Sequence, residues 1–153
     1  MMDKIGNEKL NELFYDHLTY EISMWMNSYD RASVLGDDVV AYNAMLEDFS
    51  LHSHVLIRFL KGAGQLSPQA FAPKYSLRPE RLARERERVW RSFLRKFKDQ
   101  MLYIGPNRVA ESSEKINGDV RAAVYRVTVR ELKRFTEKLL PEYKPSWEFY
   151  TDG

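Results

Sequence analysis

Apolar residues recur at helical spacing in four segments. Over residues 7–34, Leu10, Leu13, Phe14, Leu18, Ile22, Trp25 and Tyr29 share one helix face. Asn7 suits the N-cap, Glu8 suits the positive end of the helix dipole, and Gly36 supplies a stop. Over 38–61, Tyr42, Met45, Phe49, His52, Leu56 and Phe59 step by 3, 4, 3, 4 and 3, behind a cap at Asp37 or Asp38 and ahead of Gly62 and Gly64. A third helix is expected over 79–104, with Pro79 in its first turn, Leu82, Val89, Trp90, Phe93, Phe97 and Met101 inward, and Gly105 and Pro106 as its stop. The fourth is expected over 119–140, capped by Asp119, running through Ala123, Val127, Leu132, Phe135 and Leu139, and stopped by Pro141.

No segment alternates with the period of a strand. Four helices and no strand predict an all-α fold, an antiparallel four-helix bundle in a single domain over 1–153. Two stretches fall outside the periodic pattern. Residues 62–78, with Gly64, Pro68 and Pro73, form a long irregular connection of the kind that often carries function. The tail holds Trp147, Phe149 and Tyr150, and is expected to fold back on the domain or to enter a dimer interface.

Composition narrows the class. At 153 residues the chain is long enough for a real core, and 44% hydrophobic with 30% charged residues is ordinary for a globular protein. It has no cysteine, which excludes disulfides, thiolate metal sites and cysteine nucleophiles. No stretch has the length of apolar residues a membrane span needs, and residues 1–9 lack the apolar core of a signal peptide. The expectation is a cytoplasmic protein with no membrane partner.

The net charge of +2 hides an asymmetry: residues 1–60 carry 4 basic and 10 acidic side chains, residues 61–153 carry 20 and 12. Local fields, not the total, attract polyanions. Arg81, Arg84, Arg88, Arg91, Arg95 and Lys98 step by 3, 4, 3, 4 and 3, which lines them up as one basic stripe on the third helix. Arg126, Arg130, Lys133 and Arg134 add cations on the fourth. Arginine stripes of this kind track phosphates, and Arg84, Arg88, Arg91, Arg95 and Lys98 are the candidate nucleic-acid contacts. The competing account is a solvated face neutralised by nearby glutamates and by the acidic first two helices.

Histidine chemistry is sparse. His52 and His54 lie two apart and point in different directions on a helix, His17 is the only other histidine, and no Glu-x-x-His pair supports a di-iron bundle. No metal or other cofactor is expected. No glycine-rich phosphate loop or nucleophile elbow is present.

Two segments resemble HEPN-superfamily-like small bacterial helical proteins. In Glu47-Asp-Phe-Ser-Leu-His52-Ser-His-Val-Leu-Ile-Arg-Phe59-Leu60, the residues His52, Leu56, Ile57, Phe59 and Leu60 match a family-style Leu-His-Ala-Arg-Asn-Leu-Ile-x-Phe-Leu helix; His54 stands for its Arg and Val55 for its Asn. In Lys98-Asp99-Gln100-Met101-Leu102-Tyr103, the family's Arg, polar residue, three variable residues and His become Lys98, Asp99 and Tyr103. The resemblance implies a helical bundle linked to RNA or defence, acting without metal and often as a dimer. Lys98 and Tyr103 would hold the catalytic positions. Tyrosine is a poor base near neutrality and lysine lacks the bidentate fork, so weak or lost cleavage is implied. The sequence therefore predicts an RNA-binding module, with a non-enzymatic dimerisation or partner-binding module as alternative and an active metal-independent ribonuclease as a further one.

Overall fold

In a computed structural model the chain is described over residues 5–35, 37–102 and 115–149. Among the described residues it is all-helical, with no strand. Helix α1 (Asn7–Glu12), a π-helical turn (Leu13–Leu18) and α2 (Thr19–Val34) follow without a break. Then come α3 (Val39–Leu60), α4 (Arg84–Phe97) with a second π-helical turn (Lys98–Leu102), and α5 (Gly118–Glu137). Helix α2 packs along α3, α4 packs on α5, and α3 touches both of the latter.

The helix ends follow local chemistry. Asp38 Oδ1 accepts from Ala41 N at 3.0 Å to cap α3. The α5 cap is Asn117, accepting from Val120 N at 3.0 Å, in place of the expected Asp119. Gly6 rather than Asn7 precedes the first helix, without a side-chain cap. The third helix starts later than the sequence suggests: Glu80–Leu82 is a single 3₁₀ turn and Ala83 leaves helical geometry at φ −136°. This moves Arg81 off the helix and leaves Leu82 exposed rather than in the core.

The core is aromatic. Trp25, Trp90, Phe14, Phe49, Phe71, Phe93 and Phe135 are fully buried. Each tryptophan donates its indole N–H to a hydroxyl: Trp25 to Ser53 at 2.8 Å, Trp90 to Thr128 and Trp147 to Thr136 at 3.0 Å. Large rings are thereby buried without an orphaned donor.

The irregular connection belongs to this core. Phe71, Ala72 and Tyr75 are buried, and Leu140 N donates to Phe71 O at 2.9 Å. The tail folds back on its own chain. Tyr143 and Trp147 are buried, and Tyr15 Oη donates to Glu142 O at 3.2 Å while accepting from Lys144 N at 3.0 Å. The π-turn places Phe14 at the junction, with ring centroids 5.4 Å from Phe71, 4.8 Å from Tyr143 and 5.4 Å from Trp147.

Candidate nucleic-acid interface

Arg84, Arg88, Arg91, Arg95 and Lys98 are all solvent-exposed on the outer side of α4 and the π-turn that continues it. The inner side carries Arg86, Trp90, Phe93 and Phe97, all buried. Arg91 pairs with Glu80 at 2.5 Å, across two well-exposed side chains. Arg84, Arg88 and Lys98 have no carboxylate at ion-pair distance among the described residues. The stripe borders a shallow depression of about 410 Å³ lined by Glu80, Arg84, Glu87, Arg88, Arg91, Ser92 and Arg95.

Arg84 also lines a second hollow, of about 420 Å³, between the start of α4 and α5. Its walls hold the cations Arg78, Arg84, Arg86, Arg130, Lys133 and Arg134 against the carboxylates Glu85 and Glu131. Glu85 bridges the two helices, accepting from Arg126 at 2.6 Å and from Arg130 at 3.0 Å. Those hydrogen bonds hold its carboxyl below the usual carboxylate range.

A buried network forms the floor. Glu131 accepts from Arg86 at 3.3 Å, from Arg134 at 2.7 Å and from the Tyr75 hydroxyl at 3.1 Å. Arg86 also donates to Glu87 at 2.7 Å and to Arg78 O at 3.0 Å, and lies over the Trp90 ring at 5.4 Å. Arg134 donates to Ser76 O at 3.0 Å. The long connection is thus tied to α4 and α5 by two arginines sharing one buried carboxylate.

The ion pairs of Arg91, Arg126, Arg130 and Arg134 all run to Glu80, Glu85 or Glu131, none to the acidic side chains of α1–α3. For these four arginines the neutralising carboxylates come from the 3₁₀ turn, α4 and α5 themselves, and not from the acidic helices.

The structure separates the histidines. His17 is exposed on the first π-turn, 4.0 Å from Glu12. His52 is buried between α2 and α3, with Nδ1 2.5 Å from Glu21 and Nε2 3.3 Å from Asp48. The two carboxylates sit on opposite edges of the ring, so they cannot share one ion. Among the described residues, no three His, Asp or Glu side chains converge as a metal site would require. His54 stacks on Phe97 with centroids 4.7 Å apart, and its Nδ1 is buried with no hydrogen-bond partner among the described residues. Burial, then Arg58, pushes its imidazole below the ordinary value. Of the two degenerate-motif residues, Lys98 lies exposed on the π-turn, while Tyr103 falls outside the described residues.

The cleft floor was not among the residues singled out from the sequence, although a signal existed. Arg86 shares the 4, 3, 4 spacing of Trp90, Phe93 and Phe97, and Glu131 shares the 4, 3, 4 spacing of Val124, Thr128 and Phe135. A charged residue in register with an apolar face announces a buried ion pair.

Among the described residues, no helix is long and apolar enough to cross a membrane. No family model matches the chain, and no curated protein or solved structure matches it either.

Proposed function

We propose that this chain binds the phosphate backbone of single-stranded RNA along α4 and α5, as a HEPN-like antiparallel four-helix bundle of the cytoplasm with weak or lost cleavage. The short 35–38 connection between the packed helices α2 and α3 supports the antiparallel arrangement. One observation carries the binding reading: among the described residues, exposed Arg84, Arg88 and Lys98 have no carboxylate at ion-pair distance, and Arg84 also lines a cleft of six cations and two carboxylates. Cations that neutralise phosphates release the counterions condensed on the nucleic acid, which gives affinity without sequence preference. His52 has a carboxylate against each ring nitrogen, and the cleavage reading rests on Lys98 and Tyr103 of the degenerate motif.

The test is titration of labelled single-stranded RNA in EDTA at several salt concentrations, reading binding and cleavage together. Substituting Arg84→Ala and Arg88→Ala together is expected to weaken binding at least tenfold at low salt and to flatten the log–log salt slope by about 0.7 per lost phosphate contact. Absence of binding at low salt, or an unchanged slope in the double variant, defeats the proposal. Cleavage abolished by Lys98→Ala or Tyr103→Ala would assign ribonuclease activity to the degenerate motif.

A second reading, self-association, is favoured by Val34, Val39 and Val40, which are 80%, 67% and 81% exposed at the α2–α3 tip. Light scattering of a Val39→Ser, Val40→Ser variant is expected to show a lower mass than the parent at equal concentration. A monomeric parent ends that reading.

A further inference from the structure

Arg121 is a buried cation with no carboxylate partner among the described residues. It is 9% exposed and lies near the end of the first turn of α5. Its guanidinium sits over the rings of Tyr29 at 5.6 Å and Tyr42 at 5.7 Å, and among the described residues its hydrogen bond is a long one, 3.4 Å to the Tyr42 hydroxyl. Its Nε–H is buried without a partner among the described residues. No carboxylate of the described residues pairs with it; the Asp38 side chain, close to Tyr42 in the chain, is engaged with Ala41 N.

Three terms act against this arrangement. Removing a cation from water costs several kcal/mol unless it is paired. An unsatisfied buried donor adds its own desolvation penalty. The N-terminal end of α5 is the positive end of its dipole, which repels a guanidinium. The flanking tyrosines offset part of this through their ring faces. They also hold the guanidinium plane in place, which lowers the entropy lost when a ligand is bound. A single anion at its edge would relieve all three terms at once, by pairing the charge, accepting from the donor and complementing the dipole.

We infer that Arg121, flanked by Tyr29 and Tyr42 at the start of α5, is a receptor for one small oxyanion, a phosphate or a carboxylate group. The site is independent of the α4–α5 phosphate-binding face: Arg121 faces α2 and α3, whereas Arg126, Arg130 and Arg134 pair with Glu85 and Glu131. Tyr29 stacks on Tyr125 at 3.9 Å and Tyr125 on Trp25 at 4.6 Å, so the site adjoins the aromatic core.

The experiment titrates the protein with inorganic phosphate and, separately, with acetate, holding ionic strength constant with potassium chloride. It follows the Arg121 Nε–H resonance by NMR and the thermal midpoint. The expected result is a saturable shift of that resonance with at least one anion and a matching rise in midpoint. Arg121→Gln should weaken the apparent affinity roughly tenfold or more, whereas Arg84→Ala with Arg88→Ala should leave it within about twofold. A stronger response to phosphate than to acetate assigns a phosphate ligand, and the reverse a carboxylate. If the resonance responds to neither anion, or if the midpoint rises equally in Arg121→Gln, the inference is overturned. The NMR titration of the unaltered protein decides the matter even if Arg121→Gln fails to fold. Loss of RNA binding in the Arg84 and Arg88 variant leaves this result untouched.

Discussion

Replacing Glu131 with glutamine is expected to lower the unfolding free energy by about 3–5 kcal/mol, the range seen when one partner of a buried ion pair is removed. Glu131 and Arg86 are 5% and 6% exposed, so neither charge has water to fall back on. The substitution keeps shape and one acceptor but leaves Arg86 with Glu87 as its remaining carboxylate among the described residues, and takes the carboxylate from Arg134. Glu85→Gln is the contrasting control. Its pairs with Arg126 and Arg130 lie in solvent, and the expected loss is less than about 1 kcal/mol. Urea denaturation of the two variants checks this; equal losses would show that the Glu131 network adds nothing beyond a surface pair.

The same network has a pH signature. Burial pushes the Tyr75 hydroxyl up, and the charge and hydrogen bond of Glu131 push it further. A raised folded-state pKa favours the neutral phenol in the fold. The contribution is therefore fully present below the unfolded value near ~10 and is lost as pH rises above it. Stability should fall through the alkaline range, and Glu131→Gln should make that fall shallower, because the carboxylate charge that helps raise the hydroxyl is gone.

Phe14→Ala carries the other large expected effect, about 3–5 kcal/mol, the usual range for deleting a buried phenylalanine. Its ring meets Phe71 from the long connection and Tyr143 and Trp147 from the tail, so the cavity opens where three segments close on one another. Hydrogen exchange should quicken first at the amides of Leu140 and Tyr143, which hold the tail, before it quickens in α3. A loss below about 1 kcal/mol, or unchanged protection at Leu140, would show that the tail is held by other contacts.

The basic stripe was legible because one helix writes its outer face into the sequence at steps of 3 and 4. The spacing placed Arg84, Arg88, Arg91, Arg95 and Lys98 together, and these five are exposed side by side. Arg81 had the right spacing and is nonetheless off the helix, because Ala83 breaks the register that spacing assumes. His52 lay in an apolar stripe, which marked it for burial, but nothing local to it named Glu21, 31 residues away, as its partner.

The helical class, four apolar faces and a basic face on the third helix could be read from residue order alone, because these follow from periodicity within a single segment. Only tertiary structure decided which charges find partners. Glu85 draws Arg126 and Arg130 from α5, 41 and 45 residues on, and Glu131 holds Arg86 and the Tyr75 hydroxyl. It also turned an irregular connection and a tail into core around Phe14, and left Arg121 among tyrosines with no carboxylate of the described residues beside it. Helix faces are set by bonds between near neighbours in the chain. Pairing is set by which faces meet, and that depends on contacts between residues dozens of positions apart.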